Sequence, residues 1–472
     1  MAGLLYLYTY NIPRFFMSSM HLLLPFMLSE ITDQYLAEDD NQPWVLGFSG
    51  GKDSTLLLQL TWKALAALPE ASRSRPVYVV CNDTGVENPR LVAFIEGTLQ
   101  RIEQAAPAQQ LPILVQRTLP ALADSFWLQT LGKGYPAPDR RFRWCTDRLK
   151  IKPTTKFIQQ KISDCGRVIV LLGTREDESA NRARSMRKHE VHGQRLRKHV
   201  LPGAHVYAPI RDVQTADLWQ YLSQCPPPWG GSHKELITLY RNASTEADCP
   251  LVIDTETPSC GKSRFGCWVC TVVNRDKSME GLIENGEAWM EPLSELRDQL
   301  MRARDEPATY RQKELRRGYV REEAWGPYLA STRAALLRQL LEAQHSIQQG
   351  HDETLRLIGY QELVAIQAQW HQDGIFSPTV AEIYNEIYPV PLPVEGAEGY
   401  TEQRLSKRQR AQQEADDLLR EVCGGNADHY ELIQQSLQVA KTAGLLPGPA
   451  AKRLRKVGVE QVLDNYLKKQ GA

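Results

Sequence analysis

The chain has 472 residues, 42% of them hydrophobic, and its 56 Lys and Arg residues balance its 56 Asp and Glu residues. This length allows two or three domains with a large buried core, whereas zero net charge excludes an overall basic field that would attract nucleic acid. Nine cysteines are too few for a disulfide scaffold in such a chain, so their uneven placement indicates metal or redox use in a reducing compartment. We therefore expect a cytoplasmic protein.

The first 26 residues are apolar and aromatic, but they predict neither a signal peptide nor a membrane span. Arg14 and His21 interrupt the apolar run, and no Lys-rich or Arg-rich start precedes it. Periodic, charged sequence begins near Met27. We interpret residues 1–26 as an over-extended start or a disordered arm, within an N-terminal arm or helix over residues 1–40. No other stretch is long and apolar enough to cross a bilayer.

From Trp44 to about Leu222, short β-branched runs alternate with amphipathic segments. This alternation is typical of an α/β domain with a doubly wound parallel sheet, which we assign to residues 41–224. In such sheets, ligands bind beyond the carboxyl ends of the strands. The residues that follow each strand-like run are therefore the candidates for a functional site.

One glycine-rich loop stands between a strand-like run and a helix-like run. Two glycines let the backbone approach an anion closely, and the following helix directs unpaired N–H groups at that anion. The spacing differs from the Walker type and is similar to the PP-loop of ATP pyrophosphatases, which split ATP between the α and β phosphates. We expect an exposed, phosphate-binding loop; a simple tight turn is the alternative. The loop consists of Ser49, Gly50, Gly51, Lys52, Asp53 and Ser54.

Two further strand ends carry polar clusters that we expect to converge on this loop. Asp83 and Thr84 follow the second strand, and Gly173, Arg175 and Asp177 follow a later one. Asp83 or Asp177 could hold Mg²⁺ on the pyrophosphate, because that ion needs hard oxygen ligands. Arg175 could neutralise charge that develops on the phosphates. Solvated loops are the alternative for both clusters.

Residues 225–285 are rich in Pro, Gly and Cys and lack clear periodicity, so we expect a metal to order them. Thiolate-only sites suit zinc or an iron–sulfur cluster, and a basic segment upstream supplies a fifth candidate thiol. Five candidates for a four-ligand site leave one cysteine over, and structural zinc or plain buried thiols remain alternatives. The candidate ligands are Cys145, Cys249, Cys260, Cys267 and Cys270.

Two other regions differ in composition from the α/β domain. Between Arg182 and Lys198, seven Lys or Arg residues stand against one acid, so this segment could bring a phosphate backbone to the site; a solvated face is the alternative. From about Met290 onwards, Leu, Ala, Gln, Arg and Glu dominate with helical spacing. We predict a helical extension over residues 286–472.

The ordered motifs resemble the phosphoadenylylsulfate reductase group of PP-loop enzymes. Besides the loop, the motifs that carry this resemblance are Asp83–Gly85, Arg143–Thr146, Gly173–Ser179 and Tyr207–Ile210. Later stretches narrow it to the DndC-type sulfurtransferases of bacterial DNA phosphorothioation, with a match from about Glu30 to about Tyr384. These stretches are Gly134–Pro138, Pro227–Gly230 and Cys249–Thr271.

The resemblance implies an enzyme that replaces a non-bridging phosphate oxygen of DNA with sulfur. ATP would adenylate that oxygen with release of pyrophosphate, and sulfur supplied through a cysteine desulfurase would expel AMP. It further implies ATP, Mg²⁺ and a 4Fe-4S cluster as cofactors, DNA and other Dnd proteins as partners, and no membrane contact. The implied catalytic residues are Lys52, Asp53, Ser54 and Arg175; the implied nucleotide-binding residues are Ser49, Gly50, Gly51, Lys52, Asp53, Ser54, Asp83, Thr84 and Gly173.

Three rival functions remain at this point. A reductase of adenylylated sulfate would share the loop but need a C-terminal catalytic cysteine, and the surroundings of Cys423 do not resemble the tail of that reductase. A tRNA thiolase would adenylate a base carbonyl oxygen and need contacts to RNA. A non-catalytic scaffold would use nucleotide and cluster only to assemble on DNA.

Overall fold

A computed structural model describes most of the chain, and the described residues fall into two compact units. Unit 1 comprises the described parts of residues 1–129, 137–302 and 339–362, and unit 2 those of residues 130–136, 303–338 and 363–472. The predicted four-part division by composition stays a prediction. The residues described are 20–37, 42–178, 183–184, 186, 195–242, 266–316, 318, 320–390, 392, 418–424, 426–444, 456–464 and 466–467.

Unit 1 contains a sheet whose six described strands have the order β3-β2-β1-β4-β6-β5. Neighbouring strands are parallel, except that β5 is antiparallel to β6. This mainly parallel α/β sheet confirms the predicted fold class. The strands are β1 Trp44–Gly47, β2 Val77–Asn82, β3 Ile113–Thr118, β4 Val168–Leu171, β5 Arg197–Lys198 and β6 Ala204–Tyr207.

The register of the central strands places three loops side by side. Strands β1 and β4 are buried on both faces, which is why they consist of continuous apolar runs. Leu46 of β1 pairs with Leu171 of β4, and Gly47 pairs with Val80 of β2. The glycine-rich loop after β1 is therefore flanked by the loops that follow β2 and β4, as the sequence predicts.

Helices pack on the sheet, and α2 lies at the centre of the main hydrophobic core. Met20 and Met27 of α1 are buried in the same core, so the prediction of a disordered arm is wrong for residues 20–26. The helices to residue 305 are α1 Met20–Leu36, α2 Lys52–Ala66, α3 Pro89–Ala108, α4 Lys152–Cys165, α5 Thr215–Gln224, α6 Lys234–Asn242, α7 Lys277–Glu284 and α8 Glu291–Asp305, with π-helical segments at Leu128–Gly132 and Thr146–Ile151.

The C-terminal part of the chain is helical, which confirms the predicted helical extension. None of the helices in the described part of the chain has both the length and the apolar character needed to cross a membrane. The helices after residue 305 are α9 Pro307–Tyr310, α10 Ala330–Gly350, α11 Tyr360–Asp373, α12 Val380–Ile387 and α13 Ala427–Gly444.

Candidate active site

The loop between β1 and α2 is held by its own serines and glycines. The N–H of Ser49 donates to Ser54 Oγ (3.2 Å), and the Ser54 hydroxyl donates to the carbonyl of Gly51 (3.0 Å). Gly50 has φ +68°, and a Cβ at this position would clash with Ile95 of α3. A side chain at Gly50 is thus excluded both by backbone conformation and by space. The loop motif follows from these local constraints.

Two cations bind the carboxylate of Asp53. Arg175 Nε donates to Asp53 Oδ1 (2.6 Å), and Lys52 Nζ donates to Asp53 Oδ2 (3.0 Å). The exposed fractions of Lys52 and Arg175 are only 7% and 1%. The expected exposure of the loop is therefore wrong for Lys52, because this residue packs over the ring of Tyr240 and beside Asp53. Two positive charges and the N-terminus of α2 are concentrated at one point of the sheet edge.

Gly173 lets the end of β4 touch the first turn of α2. A Cβ on Gly173 would lie 3.0 Å from the carbonyl carbon and oxygen of Asp53 and 3.1 Å from the N atom of Ser54. These neighbours are backbone atoms of a buried helix, so they cannot move aside cheaply. The predicted convergence of the Gly173 loop on the glycine-rich loop is observed in this contact.

Arg175 is fixed by protein groups on every nitrogen of its guanidinium. Besides Nε on Asp53, Nη1 donates to the carbonyl of Val213 (2.9 Å), and both Nη atoms lie 3.2 Å from Thr215 Oγ1. The side chain of Arg175 is only 1% exposed, so a phosphate has little access to it. The geometry supports a positioning role, in which Arg175 orients Asp53 and through it the loop.

Asp177 belongs to the same network. Its Oδ2 accepts hydrogen bonds from Thr215 N (2.8 Å) and Thr215 Oγ1 (2.6 Å), and it lies 3.5 Å from Arg175 Nη1. Burial opposes ionisation, but the bonds from Thr215 and the charge of Arg175 outweigh it and lower the pKa of Asp177. Asp177 is thus committed to structure, which leaves Asp83 as the better of the two predicted Mg²⁺ ligands.

We expect the Asp177→Asn variant to lose less of its free energy of unfolding than wild type when the pH is lowered. A carboxyl whose pKa is lowered by folding stabilises the protein at pH values above its ordinary pKa of 3.8. This stabilisation is lost as the pH falls through 3.8 towards the lower pKa of the folded state. Urea unfolding at about pH 7 and again below that value measures the loss for each protein. Wild type should lose more than Asp177→Asn, whereas Asp212→Asn, at a largely exposed neighbour, should behave as wild type. Equal losses in wild type and Asp177→Asn would contradict the assigned network.

The loop after β2 carries Asp83 and Thr84 at the other side of β1. Asp83 Oδ1 accepts from the N–H of Gly85 (2.8 Å), which shapes a tight turn. The hydroxyl of buried Thr84 donates to Glu87 Oε1 (3.1 Å) and lies 3.5 Å from Cys267 Sγ. Thr84 therefore faces the cysteine segment, and its predicted contact with the nucleotide stays a prediction.

The turn that carries Cys267 and Cys270 lies against the β2 loop. Glu87 and Cys267 form an antiparallel bridge, and the N–H of Trp268 donates to the carbonyl of Val86 (3.0 Å). Trp268 also packs against Trp127, whose neighbour Phe126 stacks on Trp144, the residue before Cys145. The structure therefore joins the upstream Cys145 segment to the Cys267–Cys270 turn, although these segments are far apart along the chain.

An acid and a lysine flank these thiols. Glu87 Oε1 lies 3.2 Å from Lys150 Nζ and 3.5 Å from Cys267 Sγ. Burial raises the pKa of Cys267 to about 12, and it also raises the pKa of Cys145. Desolvation opposes the charge on Lys150, but its interactions with Cys267 and Glu87 raise its pKa. Each thiol thus has to lose a proton to ligate a metal, and the ammonium of Lys150 favours that loss.

The described residues contain no group of three or more His, Cys, Asp or Glu side chains arranged to hold a metal ion. Cys249 and Cys260 lie outside the described residues. Most of the basic segment 182–198 lies outside them too, and Arg195 at its end contacts Asp33 Oδ2 of α1 (3.4 Å). The complete ligand set therefore stays a prediction.

Four functional candidates were missed in the sequence. Tyr240 and Thr215 carry no motif, because tyrosines and threonines on amphipathic helices are ordinary core or cap residues. Lys150 follows Cys145 by five positions, and Glu87 lies two positions after Gly85 of the Asp83–Thr84–Gly85 motif. These short separations from predicted site residues were the available signal.

Residues 43–272 match the family model of the phosphoadenosine phosphosulfate reductase domain. A curated relative, an uncharacterized protein of Methanocaldococcus jannaschii, is 34% identical over 152 residues, which are 32% of this chain and 27% of the relative. The match thus spans about a quarter of that relative's length. The family match confirms the coarser half of the resemblance, a PP-loop domain like that of phosphoadenosine phosphosulfate reductases, and leaves the DndC-type assignment a prediction.

Solved structures with a similar fold have low sequence identity to this chain. Phosphoadenylyl-sulfate reductase from Candida auris is 12% identical with a TM-score of 0.26, over 45% of this chain and 87% of that chain. FMN adenylyltransferase from Candida glabrata is 14% identical with a TM-score of 0.29, over 53% and 74%. The U34-tRNA thiolase NcsA from Methanococcus maripaludis, solved with its 4Fe-4S cluster, is 12% identical with a TM-score of 0.26, over 60% and 80%.

Proposed function

We propose that this chain is a sulfurtransferase of DNA phosphorothioation, which uses ATP to adenylate an oxygen of a DNA backbone phosphate before sulfur replaces that oxygen. One observation carries the proposal. The network of Lys52, Asp53 and Arg175 stands at the N-terminus of α2, and the turn that carries Cys267 and Cys270 lies against the loop that follows the neighbouring strand β2. An anion-binding loop and a thiol group at one sheet edge suit adenylation followed by sulfur transfer.

Adenylation requires stabilisation of the leaving pyrophosphate. The N-terminal amides of α2 and the ammonium of Lys52 supply positive charge in a largely buried site, where such charge is more effective than in water. Lys52 can exchange its bond to Asp53 for a phosphate oxygen, because Asp53 keeps its second bond to Arg175. Asp83 is our proposed Mg²⁺ ligand.

The bond changes are two displacements at phosphorus. An oxygen of the DNA phosphate attacks the α phosphorus of ATP, and the bond to the β phosphate breaks with release of pyrophosphate. A sulfur nucleophile, supplied as a persulfide by a cysteine desulfurase, then attacks the DNA phosphorus. The bond to the activated oxygen breaks, so AMP leaves with an oxygen that came from DNA. A second thiol, such as free cysteine, then attacks the S–S bond that remains, which leaves the phosphorothioate on DNA and forms a disulfide.

We propose an iron–sulfur cluster as the group that the candidate cysteines hold, because thiolates are its usual ligands. Cys145, Cys267 and Cys270 would hold it together with one of the two cysteines outside the described residues, Cys249 or Cys260. A bound cluster would supply thiolate-ligated iron as a binding place for sulfur. In this chain, Glu87 and Lys150 orient the Cys267 turn, because the carboxylate contacts both the ammonium and the thiol.

The acceptor is tested by comparing substrates. Protein purified without oxygen is incubated with ATP, Mg²⁺, cysteine and a cysteine desulfurase, and with either duplex DNA or tRNA; pyrophosphate release is measured, and digested nucleic acid is analysed by mass spectrometry. We expect DNA to stimulate release and to yield phosphorothioate dinucleotides. Thiolated bases in tRNA alone would establish the thiolase alternative, and no pyrophosphate release with either acceptor would favour the scaffold.

We also expect Cys267→Ser to lose iron and acid-labile sulfide, together with visible absorbance, because a serine oxygen is a poor ligand for a cluster. Metal analysis of anaerobically purified protein measures this loss. Cys165→Ser is the matched control, since Cys165 is an exposed cysteine at the end of α4. Full iron and sulfide in Cys267→Ser would show that Cys267 is not a ligand.

A further inference from the structure

Tyr240 of helix α6 reaches the glycine-rich loop from another part of the chain. Its hydroxyl accepts a hydrogen bond from the backbone N–H of Lys52 (3.3 Å), and Lys52 Nζ lies 5.5 Å from the centre of its ring. A Cβ on Gly51 would lie 3.2 Å from the same hydroxyl. A side chain at Gly51 would therefore crowd the hydroxyl of Tyr240.

The N–H of Lys52 is the first of helix α2. The N-cap residue Gly51 provides no side-chain hydrogen bond to the helix, so the hydroxyl of Tyr240 takes the place of a capping oxygen. The same N–H belongs to the group of amides that a helix N-terminus offers to a phosphate. Tyr240 and a bound phosphate would thus compete for one donor.

The surroundings of Tyr240 fix this hydroxyl in its neutral form. The residue is buried, its ring packs edge-on against Trp219 (5.1 Å between centroids), and burial raises the pKa of the hydroxyl. Removing only the hydroxyl leaves the ring, its contact with Trp219 and its place beneath Lys52. Tyr240→Phe therefore removes the hydrogen bond to the Lys52 amide while it keeps the aromatic ring.

We infer that Tyr240 is a positioning residue of the nucleotide loop, whose hydroxyl caps the Lys52 amide until a phosphate oxygen of the pyrophosphate or triphosphate group replaces it. This inference rests on the proposed nucleotide binding at the loop. The exchange lowers the net gain from phosphate binding, because a bond within the protein is lost when the new one forms. The exchange also makes the contact between helix α6 and the loop depend on whether phosphate is bound.

Tyr240→Phe should bind inorganic pyrophosphate about three- to tenfold more tightly than wild type, since a typical hydrogen bond contributes about 0.5–1.5 kcal/mol. Calorimetric titration of the full chain with magnesium pyrophosphate measures the affinity. The control is Tyr207→Phe, because Tyr207 is also buried and its hydroxyl has no partner within the described residues. The sign of the change is informative, because a loop merely damaged by the substitution would bind more weakly.

Other outcomes overturn the inference in distinguishable ways. Equal affinity in wild type and Tyr240→Phe would show that the hydroxyl does not compete with phosphate, while the proposed function would stand. Weaker binding by Tyr240→Phe would make the hydroxyl a donor to phosphate or a structural group. No binding by wild type, Tyr240→Phe or Tyr207→Phe would remove the proposed nucleotide role of the loop and the inference with it.

Discussion

Replacing Lys52 with alanine should lower pyrophosphate release from ATP by about a hundred- to thousandfold, the usual effect of removing one preorganised charge from a transition state. Lys52 is the first residue of α2, and little water reaches its side chain. Its charge can therefore act strongly on a leaving pyrophosphate. The rate is measured with saturating ATP on the anaerobically purified protein.

The fold should survive this substitution. Asp53 retains its 2.6 Å bond to Arg175, so no carboxylate is left without a partner when the ammonium of Lys52 is removed. Lys63→Ala, a change of the same chemistry near the other end of α2, should leave the rate unchanged. Wild-type-like release by a folded Lys52→Ala protein would contradict the assignment of the loop.

Replacing Arg175 with methionine should lower the free energy of unfolding by about 3–5 kcal/mol, as expected when one member of a buried ion pair is removed. Methionine fills a similar volume but leaves the Asp53 carboxylate without its closer cation. It also leaves the carbonyl of Val213 without its donor. Urea unfolding measures the difference.

Arg175→Lys separates charge from geometry. A lysine can pair with Asp53, but it lacks the planar fork that reaches Val213 and Thr215 at the same time, so we expect an intermediate loss of stability. A loss below about 1 kcal/mol in Arg175→Met, the range of exposed pairs, would show that the network is not a structural centre.

The parallel sheet and the phosphate loop could be predicted because their signals are local. Strands β1 and β4 are continuous apolar runs, and the glycines of the loop are required by contacts that an added Cβ would violate, with Ile95 at Gly50 and with the first turn of α2 at Gly173. Adjacent parallel strands bring their following loops together. The order of the apolar strands along the chain was therefore enough to predict which loops lie together at the carboxyl ends of the strands.

The features that could not be predicted depend on contacts between segments that are distant in the sequence. The cap that Tyr240 places on Lys52 and the contact of Glu87 with Lys150 and Cys267 join elements that sequence periodicity cannot pair. The burial of Arg175 was missed for the same reason, because Thr215 and Val213 arrive from a later part of the chain. The burial of the N-terminal helix could not be predicted, because Met20 and Met27 are covered by neighbours that the local sequence does not indicate.

The most direct test of the central claim follows an oxygen atom. Duplex DNA with a heavy oxygen isotope in its non-bridging phosphate positions is incubated anaerobically with the protein, ATP, Mg²⁺, cysteine and a cysteine desulfurase, and the AMP formed is analysed by mass spectrometry. Adenylation of the DNA phosphate predicts AMP that carries one heavy oxygen for each sulfur gained by DNA. Unlabelled AMP beside sulfur-containing DNA would contradict the account, because the oxygen displaced by sulfur would then not have been the one activated by ATP.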